Sequence, residues 1–261
     1  MANKITRPRI YIWDRYFLKQ DLSLVLERNE SPYRRLSVTI IISSGKPFVV
    51  TREDNETLTL QGAILGPNVE RTNIYAEDSD LTIIDAFITT TAYKDLMQCV
   101  GPNDTRELSP NELSKTQELC RQSFFKELSI GAALTLFNAV VYSLCDPNIS
   151  TPALDPRVEN IIDIVERSRA DELTISTLAE KVNLSESRLR SLFKRDMHCT
   201  LSQYIRSVSF WKSIPLLAQG MNFTEVAHES GFHDLAHYSR TVSEAMGASP
   251  SNIRKQLDIF F

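Results

Sequence analysis

The chain has 261 residues, 42 % of them hydrophobic and 24 % charged, with a formal net charge of −4. That length exceeds the roughly 100–200 residues of one domain, so two domains are expected, and the composition excludes a disordered chain. Four scattered cysteines, Cys99, Cys120, Cys145 and Cys199, make no C-x-x-C pair, which argues against a zinc knuckle or a disulfide scaffold and fits reduced thiols. No stretch has the apolar core of a signal peptide or the roughly 18 apolar residues of a membrane helix, so a soluble, cytoplasmic protein with no membrane partner is expected.

The first half is β-rich. The segment RIYIWDRYF carries Tyr11, Trp13, Tyr16 and Phe17, either an arm that closes over a ligand or a core cluster. Then LSVTIII (36–42), FVV (48–50), ETLTL (56–60), RTNIY (71–75) and LTIIDAFI (81–88) follow, β-branched and partly alternating, with Gly66-Pro67-Asn68 as a turn between two of them. Short strands at this spacing predict a small barrel or jelly roll. Arg7, Arg9, Arg34, Arg35 and Arg52 would suit an anionic effector, although scattered arginines discriminate poorly.

Two helices are predicted next. Ser109-Pro110-Asn111-Glu112 has the spacing of a capping box with proline at the first helical position. In SIGAALTLFNAVVYSL, residues Ile130, Ala133, Leu134, Phe137, Val140, Val141 and Leu144 share one helical face, which packs on the barrel or pairs with a second copy. CDPNISTPALDP (145–156) holds three prolines and reads as a linker.

Beyond it the pattern is helical and repeats. LAEKVNL (178–184) shifted by 48 positions lies on VAHESGF (226–232), and FKRDMHCT (193–200) shifted by 49 lies on VSEAMGAS (242–249). In each copy a short helix with a small residue (Ala179, Ala227) meets a tight turn (Asn183-Leu184, Gly231-Phe232). A second helix then starts at a capping residue (Ser185, Asp234). This is the helix-turn-helix layout, in which alanine permits a close crossing and Asn or Gly supplies the left-handed turn. His228, His233 and His237 fall in the second copy on the first helix, the turn and the second helix. They therefore face different directions and no metal site is expected. Between Lys181 and Lys212 seven basic residues stand against two acidic ones, a candidate phosphate-binding surface. Thr200 with Gln203 predicts another capping box and Tyr204, Ile205, Val208 and Trp211 an apolar stripe, while Pro215 should kink or end that helix.

LAEKVNLSESRLRSLFKRDMHCTLSQYI and EVAHESGFHDLAHYSRTVSEAMGASPSNIR together resemble the AraC/XylS family of transcription regulators over about residues 158–257. His198 stands where that family usually has glycine, Ser209 where arginine is common, Val242 where phenylalanine is favoured and Ile253 in place of tyrosine. The resemblance implies an α+β protein. Residues 1–145 would be a β-rich, cupin-like effector-sensing and dimerisation barrel with two helices, 146–157 a linker, and 158–261 an all-α DNA-binding domain of two helix-turn-helix units. It implies a homodimer on double-stranded promoter DNA, an activator with RNA polymerase as a further candidate partner, and a small-molecule effector whose identity and site are unknown. In the first recognition helix Leu189, Leu192 and Phe193 should be buried. Ser187, Arg190, Ser191 and Lys194 then face DNA, Arg190 as a base reader and Lys194 with Arg195 nearer phosphate. In the second, Leu235, Ala236, Ser239 and Arg240 match the family's DNA-facing positions, with Arg240 the reader and Tyr238 and Val242 in the core. All four histidines lie at or beyond His198, so the histidine metal centre of catalytic cupins cannot form. With no G-x-S-x-G, P-loop or H-E-x-x-H either, no cofactor and no enzyme activity are expected. The alternatives are a non-catalytic adaptor that uses the helices for protein contacts and a small-molecule-binding cupin-like protein.

Overall fold

A computed structural model describes residues 7–22, 24–27, 35–51, 56–69, 73–77, 79–145 and 153–261. Arg34, Arg52 and the linker residues 146–152 lie outside the described residues. Packing divides the chain into Met1–Thr151 with Ser251–Phe261, and Pro152–Pro250.

The first unit is built on strands β1 (Arg9–Trp13), β2 (Tyr16–Asp21), β3 (Leu24–Glu27), β4 (Ser37–Ser43), β5 (Phe48–Thr51), β6 (Thr57–Leu60), β7 (Gly62–Leu65), β8 (Asn73–Ala76) and β9 (Leu81–Phe87). Helix α1 (Thr91–Met97), strand β10 (Thr105–Glu107) and helices α2 (Pro110–Phe124) and α3 (Ile130–Leu144) follow. The chain end returns as α10 (Pro250–Gln256) and β11 (Asp258–Phe260), the second unit supplying α4 to α9 between. One sheet runs β10-β7-β4-β9-β2-β1-β11 and the other β3-β8-β5-β6. Every residue of β4 and β9 is buried, as β-branched strands covered on both faces must be.

The pleat sorts those residues by face. Ile40 pairs with both Ile84 and Ile64, and Ile42 with Gly62. An added Cβ on Gly62 would lie 2.7 Å from Leu113 of α2, so this set faces the helices. Thr39 pairs with Asp85, and Asp85 with Phe17, so these face the opposite way. There the buried Asp85 carboxylate accepts hydrogen bonds from Arg35 Nη1 at 2.8 Å, Ser37 Oγ at 2.6 Å and Thr39 Oγ1 at 2.5 Å. The Arg35 guanidinium also lies over the Phe17 ring, 5.4 Å from its centroid. Arg35, named above among arginines for an anionic effector, is thus engaged by an internal anion.

Several expectations change on contact with the structure. The aromatic segment is the β1–β2 hairpin, with Tyr11 and Phe17 buried, so it is part of the sheet rather than an arm. Phe137 is buried edge-on against Trp13 and Tyr16, at ring distances of 5.4 and 4.8 Å. Ala133, Phe137, Val140, Val141 and Leu144 of the α3 stripe therefore pack on their own unit, whereas Leu134, counted with them from sequence, is exposed on the outward side with Tyr142, the latter 73 % exposed. Residues 251–261, assigned from sequence to the DNA-binding domain, group with the first unit because β11 extends the sheet edge parallel to β1. Asp258 N donates to Pro8 O at 2.9 Å, Arg7 pairs with Asp258 at 3.3 Å, and Tyr11 stacks on Phe260 at 4.8 Å.

The buried ion pair makes a testable claim about stability. Asp85→Ala leaves the Arg35 charge uncompensated and should cost about 3–5 kcal/mol in urea unfolding, whereas Arg35→Met with Asp85→Leu should cost far less. A single-variant loss below about 1 kcal/mol would contradict the assignment.

Candidate nucleic-acid interface

The second unit contains α4 (Pro156–Arg167), a 3-10 turn at Ala170–Glu172, α5 (Ile175–Lys181), α6 (Glu186–Met197), α7 (Leu201–Ala218), α8 (Phe223–Glu229) and α9 (Leu235–Met246). Pro156, read from sequence as linker, is the first residue of α4 behind its cap Asp155. The duplicated sequence becomes a duplicated structure. In each copy a seven-residue helix, α5 or α8, leads through a left-handed residue, Asn183 at φ 53° or Gly231 at φ 78°, into a twelve-residue helix capped by Ser185 or Asp234. Ser185 accepts from Arg188 N and Asp234 from His237 N, satisfying amides that a helix start leaves open. Ala179 and Ala227 are buried at the crossings.

On α6, Leu189, Leu192, Phe193 and Met197 are buried, leaving Ser187, Arg190, Ser191, Lys194 and Arg195 exposed together. Arg188, from sequence only one of the basic run, shares the exposed side. Arg190 pairs with Glu186 one turn back at 2.9 Å, and Arg195 Nε with Asp196 at 2.6 Å; Arg190 and Glu186 are both exposed, so phosphate or a base edge can replace that partner at little cost. On α9, Tyr238, Thr241 and Val242 are buried, Leu235, Ala236 and Arg240 are exposed, and Ser239 is half-buried between them. His237 stacks edge-on against Phe232 at 5.3 Å. Its ring is held below the usual histidine range first by burial and then by the charges of Arg206 and Arg240. Arg206 of α7, half-buried, therefore lies close enough to His237 for its charge to act on the ring. From sequence it stood only as one of a run of basic residues.

Not every basic residue of that run belongs to an open surface. Lys212 Nζ donates to Ser168 O at 2.6 Å and Val165 O at 3.3 Å, closing the end of α4. Arg169, outside the run, donates to His228 O at 2.9 Å and Glu229 O at 3.3 Å and closes the end of α8. Tyr204 OH donates to Glu166 at 2.5 Å. These bonds lock α7 to α4 and the second copy to the segment between α4 and α5. The capping box Thr200–Gln203 forms, and α7 runs unbroken through Pro215 to Ala218. The proline sits in the last turn, where its missing N–H and ring disturb only the bond to Trp211 O. His198 and Gly247 end α6 and α9 in the left-handed region, φ 55° and 83°. Among the described residues no three His, Cys, Asp or Glu side chains are grouped to hold a metal. His228 and His233 lie exposed on α8 and in the turn, with Glu229 and Asp234 beside them.

A family model described as a helix-turn-helix domain matches residues 178–256. The HTH-type transcriptional regulator GbdR of Pseudomonas aeruginosa is 30 % identical over 101 residues, 38 % of this chain and 28 % of that protein. The Msm operon regulatory protein of Streptococcus mutans is 28 % identical over 113 residues, 43 % and 40 % of the two chains. The chain thus spans well under half the length of these relatives. An apo, lysine-to-alanine variant of ToxT from Vibrio cholerae shares the fold over 94 % of this chain and 99 % of its own, with a TM-score of 0.58 at 13 % identity. ToxT with a bound unsaturated fatty acid superposes with a TM-score of 0.52 at 12 % identity, covering 94 % and 98 %.

The turn geometry predicts a graded response. An added Cβ at Gly220, φ 84°, meets nothing within 4 Å, whereas at Gly231 it lies 2.9 Å from Ala170 N. Gly220→Ala should cost about 1–2 kcal/mol from backbone strain alone, and Gly231→Ala distinctly more, in equilibrium unfolding of the full chain. Equal costs would show that the turn does not pack as described. With its doubled turns, buried crossings and matched residues, the segment 178–256 is a helix-turn-helix domain of the AraC/XylS type.

Proposed function

We propose that the chain is a sequence-specific, cytoplasmic DNA-binding transcription regulator, active as a homodimer and without catalysis. The observation that carries this reading is that two copies of one motif expose the same side of their second helix, α6 and α9, with an arginine in the middle of each. Ser187, Arg190, Ser191, Lys194 and Arg195 form the first DNA-contacting set, and Leu235, Ala236, Ser239 and Arg240 the second. Arg190 and Arg240 read guanine through a forked contact, Lys194 and Arg195 neutralise phosphate, and Leu235 offers apolar contact to a thymine methyl. Arg206 adds positive charge beside Arg240. The net charge of −4 is no obstacle, since a local patch governs encounter with phosphate. No helix among the described residues is long and apolar enough to cross a membrane.

The fold shared with fatty-acid-bound ToxT supports a small-molecule effector, which in this reading occupies the β-rich unit. Promoter DNA and RNA polymerase are the macromolecular partners in this reading. Dimer formation is assigned to the outward side of α3, where Leu134 and Tyr142 are exposed. Tyr142→Glu should yield a folded monomer by light scattering at micromolar concentration; a wild-type protein already monomeric there would contradict the dimer.

Mobility shifts on DNA upstream of the chain's own gene, repeated across salt concentrations, separate the roles. Arg190→Ala or Arg240→Ala should each cost about 1–3 kcal/mol at the preferred site and relax base choice at one position. Lys194→Ala should weaken binding to all sequences alike and make the slope of log K against log salt shallower by about 1. Uniform loss on every sequence for Arg240→Ala would reduce that residue to a phosphate contact. Absence of any shift would favour the adaptor reading.

A further inference from the structure

Cys99 and Cys145 are 46 residues apart in sequence but meet at the ends of two helices. Cys99 follows the C-cap of α1, and Cys145 is the C-cap of α3. Their sulfurs are 3.9 Å apart, and Cys99 Sγ also lies 3.4 Å from Leu144 O and 3.9 Å from Asp95 O. Both side chains are half-buried, so a small reagent reaches them, unlike Cys120 and Cys199, which are buried. A disulfide needs its sulfurs at about 2 Å, so closure takes an approach of about 2 Å by two side chains that are not locked in a core.

The setting distinguishes the two thiols. The Cys99 thiol, which donates toward Cys145 Sγ, is lowered to about 7, mainly by that hydrogen bond and with help from Arg106, against burial, which raises it. Arg106 is itself held by a forked contact to Glu112 at 3.0–3.1 Å. Cys145 is shifted upward. Cys120 and Cys199 are each pushed up to about 12, chiefly by burial. Cys99 is thus the more acidic of the two thiols and has an adjacent resolving partner 3.9 Å away, the arrangement of reversible redox sites.

We propose that Cys99 and Cys145 form a peroxide-reactive dithiol that closes into a reversible intramolecular disulfide, a modification site that ties α1 to α3 in the first unit. The Cys99 thiolate sulfur attacks one peroxide oxygen and the O–O bond breaks; the departing hydroxide takes a proton and leaves as water, and Cys99 becomes a sulfenic acid. The Cys145 sulfur then attacks the Cys99 sulfur, the S–O bond breaks, and the released hydroxide takes the Cys145 thiol proton to leave as a second water. Two electrons pass from the thiols to the peroxide. Because α3 is the last described element before the connection to the second unit, the bond fixes the point from which that connection departs.

The test is brief exposure of the full chain to hydrogen peroxide, alkylation in denaturant and peptide mapping. The expected result is a Cys99–Cys145 cross-link within one chain, reversed by dithiothreitol, with Cys120 and Cys199 still alkylated. In Cys145→Ser, dimedone should trap a sulfenic acid at Cys99, and in Cys99→Ser oxidation of Cys145 should slow at least about ten-fold. Equal alkylation of all four cysteines after peroxide, or cross-links found only between chains, would overturn the proposal, and the wild-type result alone decides this even where a variant folds poorly.

Discussion

The arrangement of the second unit rests on one backbone constraint, a left-handed residue at each helix-to-helix turn. Asn183 and Gly231 reverse the chain within a few residues, and the buried Ala179 and Ala227 let the paired helices cross closely. Without the positive φ the second helix of each pair would leave at another angle and its exposed side would turn elsewhere. At Gly231 the constraint is absolute in two respects, because both the dihedral and the nearby Ala170 amide exclude a side chain.

Around these turns, helix ends are closed by side chains from distant segments. Arg169 reaches the last carbonyls of α8, Lys212 those of α4, and Tyr204 the Glu166 carboxylate. Each such bond satisfies a carbonyl or a hydroxyl that folding would otherwise strand, and each joins α7 or the α4–α5 connection to another helix of the unit. The unbroken α7, 18 residues long, spans about 27 Å at a rise of 1.5 Å per residue, and in the proposed DNA-binding reading it is the spacer between α6 and α9 to be set against the roughly 34 Å turn of B-DNA.

Much of this was legible in the sequence because it depends on local signals. Capping residues located the starts of α2, α6, α7 and α9 at Ser109, Ser185, Thr200 and Asp234, and the internal repeat exposed the duplication. The rest depends on tertiary partners. The stripe on α3 predicted a helix but not that Phe137 meets Trp13 and Tyr16. The three-residue β11 is too short to show alternation, and its place is set by the open edge of β1. Pro215 looked like a break because a sequence does not show how near a helix end it lies. Arg35 looked available because Asp85 is 50 residues away in the chain. On the candidate interface, the exposed positions of α6 followed from helical period and those of α9 from the family resemblance, whereas the carboxylates beside Arg190 and Arg195 and the proximity of Arg206 to His237 required the structure.

The central claim is that one chain presents two recognition helices at a spacing set by α7. Selection of the full-length protein on a pool of random duplex DNA, followed by sequencing, tests it most directly. The account predicts an enriched site of two short blocks whose centres are about one helical turn, roughly 10 base pairs, apart. A single enriched block, two blocks at variable spacing, or a pool left unenriched would contradict it.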